Sequence, residues 1–503
     1  MGQTIVLPVL ASAAALLLAA AAIGDEPETG RPLYHFTPPR NFINDPNGLV
    51  LVDGEYHLFY QHNPEGDRWG HMSWGHAVSR DLYRWQHLPI ALREADGIMI
   101  FSGSAVLDRT NTSGLGRDGV APMVAAYTGD GLGKQTQNLA YSLDLGRSWT
   151  KYAKNPVLDI GSKEFRDPKV FYHHDTGRWI MATVLADQHK VRFWGSSDLK
   201  TWEMLSDFGP AGAVGGVWEC PELIEVHVER MTRQTRWVLK VDVNPGAPHG
   251  GSGGQYFVGD FDGRTFRADR KPDEPPLWVD GGKDFYAAQA WNGADGVWIA
   301  WMNNWQYAND IPTSPWRGAM TIPRQVRLSR RDDGYRLMQI PHPSLEALRG
   351  PKIELGPRAV PPGSMTLAAE GVEGTSLELM AVIEAGDADT FGLKVRTGKG
   401  EETIVGVDRK AGEVFVDRAR SGNVAFSRDF PGRHGAKLPT GRAEQVVYLH
   451  VFVDATSVEV FADGGDVVIT DQVFPRPDSR GVGLFAEGGT ARLKSLEAWP
   501  LRP

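Results

Sequence analysis

Residues 79–85 read SRDLYRW and residues 196–202 read SSDLKTW, so both fit Ser-x-Asp-Leu-x-x-Trp. Between them SLDLGRSW (142–149) is the same pattern with one residue inserted, and FDGRTF (261–266) is a weaker echo. The aromatic ends, Trp85, Trp149, Trp202 and Phe266, lie 64, 53 and 64 residues apart. A repeat constrains a chain more than its composition does, because each copy is one structural unit that stacks on the next. An apolar strand precedes each copy, and Asp-Leu or Asp-Gly reads as a hairpin turn. A unit of about 60 residues holding about four short strands is a propeller blade. The region from Tyr34 to about Gln339 has room for five, with blade starts at NDPNG (44–48), FSGSAVL (101–107), FRDPKVF (165–171), WECPELI (218–224) and DFYAAQA (284–290). The expected fold class is therefore all-β, a five-bladed propeller over 33–345.

A second region follows. PKIELGPRAVPPGS (351–364) is rich in Pro and Gly, and 346–364 reads as a linker. Beyond it SLELMAVIEA, TIVGVDR, GEVFVDR, VVYLHVFVD, SVEVFADGG, DVVITDQVF and GVGLFAEGG alternate apolar and polar residues. Turn signals between them at roughly ten-residue intervals predict a C-terminal β-sandwich over 365–503. The only helical expectation outside the leader is a short one near Pro343–Leu348.

Ile5 to Ile23 is nearly all apolar, is rich in Ala, and is followed by Asp25, Glu26 and Glu28. Residues 1–24 read as a secretory signal peptide with small residues at 20–22. MGQT lacks the usual Lys or Arg, so an uncleaved N-terminal anchor is the alternative. Either way the chain is exported, secreted or periplasmic. The single cysteine, Cys220, excludes an internal disulfide, so large cores must hold the folds. The net charge of −9 argues against a nucleic-acid partner, which needs a basic face.

In a propeller the innermost strand of each blade lines the central channel. Asp45, Asp167 and Glu219, far apart in sequence, would then meet at one mouth. Each has a plain structural reading: a turn cap, a salt-bridged turn aspartate, a surface glutamate. All three heading inner strands of one propeller is hard to obtain from turns alone. Hydrolysis of a glycosidic bond needs two carboxyl groups, one ionised and one held protonated.

NDPNG (44–48), FRDPKV (165–170) and WECPEL (218–223) together resemble the three signature motifs of glycoside hydrolase family 32, which contains invertases, inulinases and levanases. QHNP (61–64), WG (69–70), FSGS (101–104), NNWQYANDIPTSPWRGAMTIPR (303–324) and LHVFVDATSVEVFADGG (449–465) extend the resemblance over the whole mature chain. It implies a propeller followed by a sandwich and a retaining mechanism on β-D-fructofuranosides, with a fructan or sucrose as substrate and no cofactor. By motif match Asp45 would be the nucleophile, Glu219 the general acid then base, and Asp167 a transition-state stabiliser that binds sugar hydroxyls. Retention needs carboxyls about 5 Å apart, at which distance one charge raises the pKa of the other. Trp218 and Cys220 would desolvate Glu219, and Arg166 would keep Asp167 charged. Asn44 or a backbone N–H would hydrogen-bond Asp45.

Asn44, Gln61 and Ser102 would hold fructose hydroxyls, and Trp69, Phe101 and Trp305 would form apolar walls. Glu222 resembles the family's second acid and would tune the general acid. For Trp305 packing, and for Glu222 a structural salt bridge, stand as alternatives. Cys220 reads as a small buried residue, and His71 with His76 as strand packing rather than a metal pair. Phe42 and Ile43 depart from the Trp-Met type of pair usual before NDPNG, which reshapes a pocket wall. The leading expectation is an exo-acting fructosidase. Its rivals are a fructosyltransferase, an inverting arabinan or xylan hydrolase of family 43 (carboxyls about 6.5–9.5 Å apart), and a fructan-binding protein with a dead site.

Overall fold

The computed structural model describes residues 30–229, 231, 234–439 and 441–502. The leader at 1–24 lies outside the described residues. The chain from Asn41 to Pro341 forms five antiparallel sheets, one per blade of a five-bladed propeller. Their innermost strands are Asn41–Val52, Met99–Leu107, Phe165–His173, Val217–His227 and Tyr286–Ala290, so every expected blade start falls on one. The first sheet is extended by Trp316–Arg317, which pairs in parallel with Asn41 and Phe42. That pairing closes the ring, because Trp316 belongs to the long fifth-blade connection.

The repeated motif is the turn between the third and fourth strands of blades one to four. Its Asp carboxylate accepts the N–H groups that the turn leaves free: Arg84 to Asp81 at 2.8 Å, Ser148 to Asp144 at 2.9 Å, Thr201 to Asp198 at 2.7 Å and Thr265 to Asp262 at 2.7 Å. The next residue is left-handed in every copy, with φ of 71° at Leu82, 54° at Leu145, 62° at Leu199 and 81° at Gly263. The fifth blade makes this connection with the short turn before Gly334 and has no copy.

All five inner strands carry a β-bulge at the same level. Two residues there face one on the neighbouring strand: Asn44–Asp45, Phe101–Ser102, Asp167–Pro168, Cys220–Pro221 and Ala287–Ala288. A bulge re-aims side chains and bends its strand. Asp167, Cys220 and Ala287, each first in its pair, have φ of 61°, 47° and 56°. NDPNG thus lies within one strand, with the bulge at its Asn44–Asp45. Gly48 follows it because a Cβ there would lie 2.5 Å from Phe59.

The sandwich has two sheets of seven and six strands. The segment read as a linker is built into them. Ile353–Leu355 and Arg358–Val360 pair with Ala491–Pro500, and Gly363–Thr366 pairs with Gly481–Glu487. Its Pro and Gly residues separate short edge strands, where a missing N–H costs nothing. Pro343–Leu348 is a 3₁₀ helix, with Pro343 in its first turn.

The seam between propeller and sandwich is charged and buried. His35 bridges Asp454 and Glu459, at 2.8 Å to each. Glu459 also takes Arg324, which reaches Asp280 at 3.1 Å. Arg418, from the sandwich, binds Asp284 and the Tyr307 hydroxyl. Such pairs are costly to break because each partner would be left charged and dry.

Candidate active site

The bulges converge on a cavity of about 290 Å³ at one mouth of the propeller channel. Ten of the eleven site residues expected from the sequence line it: Asn44, Asp45, Gln61, Trp69, Phe101, Ser102, Arg166, Asp167, Glu219 and Trp305. The physical reason is the shared bulge level: seven of the ten lie on inner strands at or beside the bulges, which re-aim side chains toward the axis.

Asp45 lies at the base, 8% exposed. Ser102 donates to its Oδ2 at 2.6 Å, the Asn44 amide to its Oδ1 at 3.1 Å, and the Cys220 thiol to its Oδ2 at 3.3 Å. These donors come from three blades, so the carboxylate is fixed by the ring closure itself. Burial and the Asp45 charge push the Cys220 thiol up, which keeps it protonated and donating. Asn47, from the same motif, locks blades one and two: its amide donates to the Asp45 carbonyl at 3.0 Å, and its oxygen accepts from Gly103 N–H at 3.0 Å. The Asn44 amide oxygen is buried and has no hydrogen-bond partner among the described residues, so its acceptor capacity is unused.

Glu219 is held from both sides. The Tyr286 hydroxyl donates to its Oε2 at 2.5 Å, and Arg166 reaches its Oε1 at 3.2 Å. Trp218, expected to cover the carboxyl, instead lies in the core between blades and donates to the Ala213 carbonyl at 2.8 Å. Neighbours along a strand point to opposite faces.

Asp167 is 5% exposed and accepts the Cys220 N–H at 2.8 Å. Burial pushes its carboxyl up to about 7, against the pull of Arg166, and Glu219 and Asp45 add to the rise. Arg166 does favour the charged form, as expected, but burial outweighs it. Arg166 Nε is 3.9 Å from Asp167, while its terminal nitrogens are 2.5 Å from Glu164 and 3.2 Å from Glu219. The fork serves the two glutamates, and at Asp167 burial is the larger influence.

Glu222 is corrected too. It is 1% exposed and does not line the cavity. Its Oε2 takes the Lys169 ammonium at 2.9 Å and the Ala290 N–H at 2.9 Å. It ties blades three, four and five together beneath the site, as the salt-bridge alternative had it. Phe42 does not reach the cavity either; fully buried, it stacks behind Trp305 at 6.3 Å and so supports that wall from outside. His71 and His76 do not meet: His71 is exposed and 2.9 Å from Glu94, while His76 packs on Phe59 at 4.0 Å.

Four lining residues were not singled out from the sequence: Gln135, Glu164, Asn244 and Tyr286. Tyr286 was legible in kind, since DFYAAQA heads the fifth inner strand as the acids head theirs. The other three come from second and third strands or a loop, where no motif marks them. Behind the site, Asp242 is paired with Lys240 at 2.6 Å, both fully buried. Burial pushes the Asp242 carboxyl up to about 7 although Lys240 pulls it down.

The arrangement offers a fixed carboxylate opposite a second, more exposed carboxyl gripped by a phenol and a guanidinium. With them is a third, buried acid, and aromatic rings line the same cavity. It is equipped for two-carboxylate acid–base and nucleophilic chemistry on a sugar. The sequence model described as Glycosyl hydrolases family 32 N-terminal domain matches residues 35–341, and its C-terminal counterpart matches residues 344–500. A levanase of Bacillus subtilis (strain 168) is 47% identical over 485 residues, covering 94% of this chain and 71% of its own length. An extracellular exo-inulinase of Aspergillus awamori is 41% identical over 507 residues and 93% of each chain. The crystal structure of an Aspergillus awamori exo-inulinase superposes with a TM-score of 0.89 at 38% identity, covering 95% of this chain and 99% of that one.

Proposed function

The chain belongs to glycosyl hydrolase family 32, and from that premise we propose that it is an exo-acting fructosidase with Asp45 and Glu219 as its reacting carboxyls. In this reading it hydrolyses fructans, which the names of its levanase and exo-inulinase relatives support, and sucrose, which ends in the same fructosyl unit. The observation that carries the exo reading is the cavity. At about 290 Å³ it has a base of buried carboxyls and a rim of Trp69 and Trp305, which suits one terminal sugar unit better than a run of them.

In this reading Asp45 attacks the anomeric carbon of the terminal fructose. Glu219 gives its proton to the leaving oxygen as that bond breaks. A covalent fructosyl ester on Asp45 results, and the leaving sugar departs. Glu219 then takes a proton from water, which attacks the same carbon and frees Asp45. Asp167 can donate to or accept from a sugar hydroxyl as charge develops. Tyr286 and Arg166 hold the Glu219 carboxyl in line, and the free Asn44 oxygen accepts a hydroxyl. The cluster of acids favours the positive charge that builds on the ring. Export of the chain agrees with the relatives named extracellular.

The test is a time course of products released from inulin and from levan. Free fructose alone from the first minutes is expected, whereas an early ladder of oligomers would refute the exo reading. Glu219→Ala should abolish turnover and leave binding measurable; a variant that kept most of its rate would refute the acid assignment.

A further inference from the structure

The far end of the propeller channel opens into a second cavity of about 430 Å³, larger than the catalytic one. It is lined by the distal parts of three inner strands, Val50 and Leu51, Val106 and Leu107, Phe171 and Tyr172, together with Arg109, Thr110, His174, Trp179, Asn292 and Gly293. These strand positions lie about five residues beyond Asp45, Ser102 and Asp167, which at about 3.3 Å per residue is roughly 17 Å along the channel. At this level Asn292 bridges blades two and three, its amide donating to the Ala105 and Val170 carbonyls at 2.8 and 3.0 Å.

Three features give this cavity a chemistry of its own. Tyr172 is 38% exposed, one of the large apolar side chains that the fold leaves in water. Its ring is nonetheless held rigidly, edge-on to Trp179 at 5.0 Å and to His174 at 5.2 Å. Trp179 is in turn pinned by its N–H to Thr112 Oγ1 at 2.8 Å. Arg109 is exposed at the rim, and its guanidinium has no ion pair or hydrogen bond among the described residues. No carboxylate lines the cavity, so nothing competes for the fork.

We propose that this cavity is a second carbohydrate site, which holds a sugar unit of the polymeric substrate on the face of the propeller opposite the catalytic centre. The proposal rests on the fructan reading above. A rigid, half-exposed ring stacks on the C–H face of a sugar, and a free guanidinium donates to neighbouring hydroxyls in pairs. A purely apolar ligand would strip water from Arg109 with no return, and a small anion would leave the rings unused. A long fructan has many equivalent units, so a second weak site raises the effective concentration of chain ends at the first and leaves a short substrate unaffected.

The experiment compares the parent enzyme with Tyr172→Ala and Arg109→Ala on sucrose and on high-molecular-weight levan and inulin. Loss of one stacking or paired contact should raise KM on the polymers about fivefold with kcat unchanged. Sucrose kinetics should match the parent's. Equal kinetics on polymer and sucrose in all three proteins would overturn the site, as would a parallel loss on both, which reports damage to the fold. Gel electrophoresis through levan or inulin reads binding without turnover. Retardation of the parent and of Glu219→Gln, lost in Glu219→Gln/Tyr172→Ala, supports the site. Retardation that persists in the double variant, or no retardation of the parent, overturns it. If the parent binds and is retarded through Tyr172 yet releases no fructose, the catalytic reading falls and the binding site stands.

Discussion

At the scale of single residues, the site works by denying water to one acid while feeding donors to another. Asp45 and Asp167 are both nearly buried, yet only Asp45 collects three side-chain donors. Asp167, with its carboxyl pushed up to about 7 by burial, must bind a proton that an unfolded aspartate releases near 3.8. The native state therefore holds the extra proton, and stability falls as pH rises from about 4 to 7. Asp167→Asn should melt above the parent at pH 8, by up to about 4 kcal/mol of stability, with the gap closing as the pH falls toward 4. Thermal denaturation across that range, alongside lost turnover, checks it. A variant less stable than the parent at pH 8 would mean that the Asp167 charge is compensated in the fold. Arg166 could be seen beside Asp167 in the sequence, but its allegiance to Glu164 and Glu219 could not, since side-chain direction depends on the bulge.

At the scale of elements, one turn and one bulge recur around the ring. The turn was legible because it is made of local chemistry: an Asp that caps, a left-handed residue, an aromatic that packs. The bulge was not, because it is a mismatch between two strands and neither strand carries it alone. In the turn, the left-handed position is Gly263 in one copy and Leu in three. Leu145 is 45% exposed, so Leu145→Gly removes a strained Cβ at little cost in packing and should stabilise by up to about 1 kcal/mol. Leu82 and Leu199 share the dihedral but are 1% exposed, so the same change there should destabilise by about 2 kcal/mol or more. Urea denaturation of the three variants decides it: losses of equal size would show that the dihedral carries no strain.

At the scale of the whole molecule, the sandwich is joined to the propeller through buried ions set among apolar clusters, such as Tyr34 and Ile322 with Phe452 and Phe461, and Tyr307 and Ile311 with Phe430 and Phe474. Asp284, which Arg418 holds, lies two residues before Tyr286, so the sandwich grips the chain just ahead of a residue that lines the candidate cavity. His35 is the clearest reporter of the seam. Burial alone would lower it, but the hydrogen bonds and charges of Asp454 and Glu459 hold it up to about 9. Its contribution to stability is complete below 6.5, the ordinary value, and is lost as the pH rises through about 9. His35→Gln should destabilise by about 3 kcal/mol at pH 6, and by much less at pH 10. Melting curves at the two values check this, and a constant difference would show that the imidazolium charge is not what closes the seam.

Period, patterning and motif order by themselves determined the five blades, the sandwich and the family, and brought out the three acids that line the cavity. These are properties of local turns, alternation and residue type, which a linear string carries intact. Only the tertiary structure decided that Glu222 braces three blades instead of meeting substrate, and that the 351–364 stretch is edge strand instead of linker. It also decided how deeply Asp167 is buried, at 5% exposed. Each depends on which strand lies opposite, how far water reaches and which of several acids an arginine faces, and those are relations across the ring that no neighbouring residue encodes.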